Sequence, residues 1–557
     1  MKTEVIAIIA VSVVAFIAFV ILVRKKQYEN KIYELTDAWG KLPNKEFTYD
    51  EFETIRGLYD SYDDGSFCVD DITWDDLDMD KVFLMINNTH SSIGQENLYY
   101  MLRNAYQSEE VLKERDSYID FFSKNKDKAV KLQYHLSQMG YTKKVSVYDY
   151  IQYAGTIKKT SNLVHYMCII LEIISILYML FVEPISGVMA FLAVISFSMY
   201  NYYKTKNKNS SYINALNYVM SMLEAGKKIS KENITKLDKY NKLFDEKNRI
   251  FAKISRNFWL ISKNDVKDSL IDMIMDYVKI ITHIDLIKFN HMIDCINDNS
   301  KELNELYSAI GGLEALIAVA SYRAYLEYYT KPQFVEEKQF DAKDMYHPLI
   351  EEPVKNTISE KRSVLLTGSN ASGKSTFLKT VAINALLAQS IYTCLAKEYK
   401  ASIYKIISSM SLKDDIGSGE SYYMVEIKAL KRILDEINDD DMVMCFVDEV
   451  LRGTNTVERI AASSQILADI SQKNALCFAA THDIELTTIL EDKYSNYHFR
   501  EEIINDDIFF SYNLYKGRAT TRNAIKLLGI MGYSKEIIKA SEDMATKFVE
   551  EGNWCKI

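Results

Sequence analysis

Along most of this chain apolar residues recur at three- and four-residue intervals over long stretches without proline or glycine, a spacing that predicts long amphipathic helices. Two regions depart from that rhythm by being apolar all round. Val5 to Val23 runs nineteen residues without a charge, enough at ~1.5 Å per residue to cross a hydrocarbon layer of ~30 Å. Leu163 to Tyr203 is the second, broken by Glu183-Pro184-Ile185-Ser186-Gly187, whose proline and glycine predict a turn between two spanning helices. A third pattern is confined to the C-terminal half. Short apolar runs at Ser363 to Thr367, Met442 to Asp448 and Ala475 to Ala480 predict buried strands.

Charge orients the apolar regions. Arg24, Lys25 and Lys26 follow the first one, against Lys2 and Glu4 before it; Lys158 and Lys159 precede the second, and Lys204, Lys206 and Lys208 follow it. Basic residues stay on the cytoplasmic side, so about three spans, a multi-pass protein of the cell membrane and a cytoplasmic body are expected. The basic cluster stands where a cleaved signal peptide would carry small residues. A buried helical hairpin of a soluble domain is the alternative for the second region. Glu172 falls near the middle of its span, where an ionisable group is costly; it is either functional or a neutral acid hydrogen-bonded inside a bundle or dimer.

Composition adds three constraints. With 557 residues, 5 prolines and 19 glycines, the chain has room for a few domains and favours long helices over a strand-rich fold. Seven cysteines, an odd number without a C-x-x-C, indicate neither a zinc site nor a disulfide framework and suit a reducing cytoplasm. A net charge of −10 argues against a large nonspecific nucleic-acid surface while leaving room for a local basic groove.

The chemistry gathers around the short strands. Gly368-Ser369-Asn370-Ala371-Ser372-Gly373-Lys374-Ser375 has the spacing G-x-x-x-x-G-K-[ST], between a predicted strand and a helix expected over Thr376 to Leu387. Such a loop wraps the phosphates of ATP or GTP with backbone N–H groups and the positive helix end; Lys374 reaches the β/γ-phosphates and the Ser375 hydroxyl ligands Mg²⁺. The strand at Met442 ends in Asp448 and Glu449, a pair suited to holding Mg²⁺ through its water shell and to activating water as a general base. Two acids, rather than one, point to an ATP hydrolase. His482, in Thr481-His482-Asp483 after the next strand, is placed to sense the γ-phosphate. Gly417 to Glu426 opens a helix with Ser421 at its cap, and Ser421 is expected to reach the γ-phosphate of a neighbouring subunit.

In order, Thr367 to Thr376, Ser421-Tyr422-Tyr423-Met424-Val425-Glu426, Val447-Asp448-Glu449 with Arg452-Gly453-Thr454-Asn455, and Ala480-Thr481-His482-Asp483 resemble the ATPase domain of the MutS family, within the ABC-class ATPases. Phe510 to Leu514 with Gly517, then Ala524 to Gly532 and Ile537 to Ala540, resemble that family's closing strand and helical C-terminal segment. More weakly, Asn88 to Leu98 and Leu112 to Arg115 resemble the start of its helical core, and Gly312 to Ala320 with His347-Pro348 its return to the ATPase. The resemblance implies a homodimer through the ATPase domains, ATP between Lys374 of one subunit and Ser421 of the other, and lever helices relaying nucleotide state. It implies a nucleotide site of Gly368, Ser369, Asn370, Ala371, Ser372, Gly373, Lys374, Ser375 and Thr376. Two departures stand out. The short stretch between the first span and the core is expected to hold no mismatch-reading domain and shows no Phe-x-Glu wedge, and Pro353-Val354-Lys355-Asn356, where relatives place an aromatic ring over adenine, offers only Val354.

The expected fold class is therefore an α/β P-loop ABC-class ATPase domain plus a long all-α core and lever domain, with transmembrane helices. The expected division is 1–26 anchor, 27–160 start of the helical core, 161–203 hairpin, 204–335 lever helices and 336–557 ATPase. Two functions compete. One is a membrane-tethered ATPase whose lever helices close on mismatched or branched DNA; Lys227, Lys228, Lys231, Lys236, Lys239 and Lys242 lean basic there, but Glu224, Glu232, Asp238, Asp245 and Glu246 interleave. The other is an ATP-driven mechanical or scaffold protein acting on a membrane partner without DNA, favoured by Glu172 and the spans. A transporter with six spans per dimer is a distant third.

Overall fold

The computed structural model describes residues 2–45, 47–63, 65–142, 145–154, 161–208, 210–252, 277–369, 372–410, 422–438, 440–451, 454–504, 507–519, 525, 528, 532–552, 554 and 556. The first helices are α1 (Lys2–Ala38), α2 (Tyr49–Ser61), α3 (Asp71–Asp76), α4 (Met79–Ile86), α5 (Ser92–Arg103), α6 (Glu109–Lys124), α7 (Lys126–Ser137) and α8 (Val147–Ala154). They are followed by α9 (Leu163–Phe181), α10 (Pro184–Lys208), α11 (Ser210–Lys231), α12 (Asp238–Ile250), α13 (Ile284–Asp298) and α14 (Ser300–Tyr325). The chain divides into two units. One comprises Met1–Asp64, Ile86–Tyr100 and Ser117–Tyr325, the other Gly65–Met85, Met101–Asp116 and Leu326–Ile557.

The first unit is helical. Three helices among the described residues are long and apolar enough to cross a membrane: Leu163–Phe181, Pro184–Asn207 and Ser300–Tyr325. Burial separates them, because 72% of the apolar window of the third is covered by the protein, against 22% and 17% for the first two. Thus α14 is the centre of this unit's core, while α9 and α10 form a hairpin with exposed apolar faces, among them Ile170, Ile174, Phe181, Ile185 and Met189. The expected turn at Glu183–Gly187 is tighter than its composition suggests. Proline fits a first helical position, where its missing N–H costs nothing, so α10 starts at Pro184. Gly187 then lies inside α10, where a Cβ would stand 2.4 Å from the Met179 Cα of α9. The span expected over Val5 to Val23 lies within α1; the side chains of 5–17 and Val20 are outside the described residues, and Phe19, Ile21 and Leu22 are exposed.

Two glycines set a close crossing in the core. A Cβ on Gly94 of α5 would lie 2.3 Å from the Glu314 carboxylate of α14, and one on Gly311 of α14 would lie 2.1 Å from the Asn97 amide of α5. The segments around residues 88–98 and 312–320 are thereby packed on each other.

The second unit is mixed α/β. Its strands are β1 (Gln333–Phe334), β2 (Phe340–Met345), β3 (Asn356–Glu360), β4 (Ser363–Thr367), β5 (Glu398–Ala401), β6 (Lys405–Ser409), β7 (Val443–Asp448), β8 (Ala475–Ala480), β9 (Tyr494–His498), β10 (Glu501–Ile504), β11 (Asp507–Phe510) and β12 (Tyr515–Lys516). Its longer helices are α15 (Lys374–Ile391), α16 (Tyr422–Glu436), α17 (Thr456–Gln472), α18 (Ile484–Ile489) and α19 (Lys535–Glu551). Six strands lie in the order β12-β9-β4-β8-β7-β6, parallel except for β12 against β9. Burial on both faces explains why β4, β7 and β8 read as unbroken apolar runs. A smaller sheet runs β1-β5-β2-β3 and a hairpin pairs β10 with β11. The segment Phe510 to Leu514, expected as a strand, leaves β11 at Phe510 and turns at Tyr512, whose φ is 52°.

The far edge of the six-stranded sheet is clamped by a segment distant in sequence. Thr73 of α3 accepts the Ser408 N–H at 3.0 Å, and Asp76 accepts the Ser408 hydroxyl at 2.6 Å and the Met410 N–H at 2.8 Å. These bonds occupy backbone that an edge strand would otherwise leave open.

Candidate functional site

Because β4, β8 and β7 are parallel neighbours, the loops that follow them leave the same edge of the sheet, the usual place for a site in an open parallel sheet. The loop after β4 is built around two positive-φ glycines. Gly368 has φ 148° and no space for a Cβ, which would meet the Phe499 carbonyl at 2.9 Å. Gly373, φ 104°, ends the loop at the start of α15. Lys374 is buried and its ammonium donates to the Gly368 and Ser369 carbonyls, each at 2.8 Å, with His482 Nε2 at 3.5 Å.

The loop after β7 reaches the same place. The Ser375 hydroxyl donates to Asp448, and the next residue, Glu449, turns through a left-handed conformation, φ 56°. Glu449 lies 2.9 Å from His482 Nε2, while its own N–H donates to the Ala480 carbonyl, also at 2.9 Å. Asp483, beside His482, is gripped by Arg459 through two bonds of 2.9 and 2.6 Å, which ties the loop after β8 to α17. Asn455 caps α17 by accepting the Glu458 N–H.

A cavity of about 500 Å³ opens over the loop and is lined in part by Val354, Ser369, Lys374, Ser375, Thr376 and Glu449. The structure thus brings together Gly368, Ser369, Ser372, Gly373, Lys374, Ser375, Thr376, Asp448, Glu449, His482 and Val354. Asn370, Ala371 and Ser421 lie outside the described residues, as do Arg452 and Gly453. Ser372 Oγ is buried without a hydrogen-bond partner among the described residues, and a hydroxyl–carboxylate pair stands at the foot of Lys374. An unused hydroxyl, a lysine and an O-donor pair fit a polyphosphate and a hard cation held by oxygen ligands.

The sequence reading missed the opposite wall. Tyr512 lines the cavity, half exposed, with its ring 3.1 Å from where a Gly373 Cβ would be. Asn356 holds it there by donating to the Tyr512 carbonyl at 3.0 Å and accepting the Leu514 N–H at 2.8 Å. His347 and Phe499 join it on the lining. Burial drives the His347 pKa down to about 4, with the Lys379 charge acting in the same sense and Asp78 opposing, so the ring is neutral at pH 7. Its Nδ1 accepts the Leu349 N–H, which leaves the proton on Nε2. Of the basic stretch in the other unit, Lys228 pairs with Glu224 at 2.8 Å and Lys236 lies over Tyr118.

A glycine loop, a two-acid strand end and a histidine strand end thus share one edge of the parallel sheet in this mixed α/β domain. Residues 364–549 match the family model of MutS domain V, the ATPase domain of the MutS family, which supports membership of that family.

Proposed function

We propose that this protein is a membrane-anchored, MutS-like ATPase that hydrolyses ATP at a dimer interface and couples the cycle to DNA. The observation that carries the reading is the convergence of Lys374, the Ser375–Asp448 pair and the Glu449–His482 pair at one cavity mouth. ATP is the substrate. The loop N–H groups and Lys374 hold its phosphates, and the Tyr512 ring with Val354 supplies the face for the base. Ser375 and Asp448 would hold Mg²⁺, which supplies charge neutralisation on the phosphates. Glu449 takes the proton of the attacking water, His482 orients that carboxylate and contacts the γ-phosphate, and Ser421 of a second subunit stabilises charge on the same phosphate. The hairpin of α9 and α10, with α1, holds the protein in the cell membrane with the ATPase on the cytoplasmic side.

A second reading, a mechanical ATPase acting on a membrane partner without DNA, is favoured by the exposed apolar hairpin and the net charge of −10. One experiment separates them: the ATPase rate of purified, solubilised protein with and without homoduplex, mismatched and branched DNA, at two salt concentrations, with Glu449→Gln as blank. Salt-sensitive stimulation supports the DNA reading. A Glu449-dependent rate indifferent to every DNA supports the mechanical one, and a rate equal to the blank overturns both.

A further inference from the structure

The hairpin contains a polar stripe that ATP hydrolysis does not use. On α9, His165, Cys168, Glu172 and Ser175 recur at three- and four-residue steps, so they share one face, and all four are buried. Facing them are Ser198 and Tyr202 from α10 and His283 and Asp285 from the start of α13, also buried. His165 Nδ1 lies 2.9 Å from His283 Nδ1, and His283 Nε2 lies 3.0 Å from Ser198 Oγ. Ser198 and Cys168 stand against the Glu172 carboxyl, whose Oε1 is buried with no hydrogen-bond partner among the described residues. Alongside, Tyr202 donates to Asp285 at 2.7 Å and accepts from Lys206 at 2.9 Å. Among the described residues no three His, Cys, Asp or Glu side chains are gathered as a metal site.

Two imidazole nitrogens at hydrogen-bonding distance share one proton, and each ring carries a second nitrogen, so the bond passes on whatever the outer nitrogens receive. His165 is the third residue of α9 and Glu172 the tenth, so the stripe runs from the hairpin's cytoplasmic end to the middle of its span. We propose that His165, His283 and Ser198 form a proton relay that delivers a proton from the cytoplasmic end of the hairpin to Glu172. Before transfer His165 donates Nδ1–H to His283, His283 donates Nε2–H to Ser198, and Ser198 donates to the Glu172 carboxylate. A proton arriving at His165 Nε2 shifts each of these in turn. Afterwards His165 holds Nε2–H, His283 holds Nδ1–H, the Ser198 hydroxyl points at His283, and Glu172 is a neutral acid. Every group but Glu172 ends with the charge it began with. The Asp285 carboxylate beside the histidine pair steadies the cation while it passes, and Tyr202 and Lys206 hold that carboxylate in place.

The proposal rests on the hairpin spanning the bilayer with both ends inside, so its test has two arms on the full chain in membranes. In the first, Ser186→Cys is labelled by an impermeant maleimide added outside intact cells, with the wild-type chain as blank. In the second, infrared difference spectroscopy after a pH jump follows the carboxylic C=O band that Glu172→Gln removes. His165→Phe and Ser198→Ala should each slow the rise of that band about tenfold or more, with labelling at Ser186→Cys unchanged. A band that rises at the wild-type rate in both variants, or a Glu172 that never protonates, overturns the relay and leaves the hairpin intact. Absence of outside labelling overturns the spanning hairpin itself, and the relay with it.

Discussion

Glu449 occupies a backbone conformation that costs a non-glycine residue on the order of 1–3 kcal/mol, and Leu451 two residues later does the same at φ 60°. The bonds around them keep the turn in place: Glu449 N–H to Ala480, Glu449 to His482, and Ser375 to Asp448. What the turn achieves is to aim a carboxylate away from its own strand and toward the loop of Lys374. Replacing Glu449 by Gln keeps the shape and removes the proposed general base. Hydrolysis should fall by about 10²–10⁴-fold while ATP stays bound, read by single-turnover kinetics alongside nucleotide retention on a filter. Lys374→Ala should lose retention itself, because the cavity loses the only buried ammonium among its described lining residues. Equal retention by the two variants would sink the assignment of both residues.

At the scale of elements, what was legible in the chain is what local pattern controls. β4 spans Ser363–Thr367 and β8 spans Ala475–Ala480, the limits their apolar runs predict, because strands buried on both faces have no polar alternation to blur them. The hairpin turn was legible in kind and wrong in extent, since Pro184 begins a helix instead of only ending one. The Tyr512 wall was not legible, because Asn356 and Tyr512 are held together across 156 residues of sequence. Nor does apolar composition tell a core helix from a spanning one: α14 qualifies as a span by length and hydropathy, yet it lies in protein. Burial makes that distinction, and the close contact at Gly187 carries a prediction. Gly187→Leu puts a side chain where the Met179 backbone stands, so α9 and α10 must separate along their length. Limited proteolysis of membrane-bound protein should then cut between residues 182 and 210 in the variant and not in the wild type. An unchanged digest would show that the close crossing does not hold the hairpin.

For the molecule as a whole, the acid excess behind its charge of −10 is not all at the surface, and two interior carboxyls couple the fold to pH. Glu96 accepts from Tyr307 at 2.6 Å and from the N–H groups of Val147 and Tyr148, joining α5, α8 and α14. Glu314 accepts from the His90 N–H and the Ser91 hydroxyl on the other side of the same crossing. Burial outweighs these bonds and pushes each carboxyl up to about 7. An acid whose folded pKa lies above its unfolded value holds its proton more tightly in the fold, so its contribution to stability grows as pH falls from about 7 toward 4.5 and is lost as pH rises again. For a single such group the change between pH 7 and pH 5 is about 2 kcal/mol. His90, which burial holds down to about 3, acts in the opposite sense over the same range, because the unfolded chain takes its proton first. Lys45, drawn down to about 8, stays mostly charged throughout it. Total stability therefore mixes opposing terms, and the informative quantity is a difference. Glu314→Gln keeps the size and removes one titration, so the pH 5 to pH 7 change in opening free energy, read by hydrogen exchange in α14, should differ from the wild type by about 2 kcal/mol, the wild type losing more as pH rises. Equal slopes would mean that Glu314 keeps an ordinary carboxylate pKa and that the core crossing at Gly94 and Gly311 encloses a charge paired with Lys45.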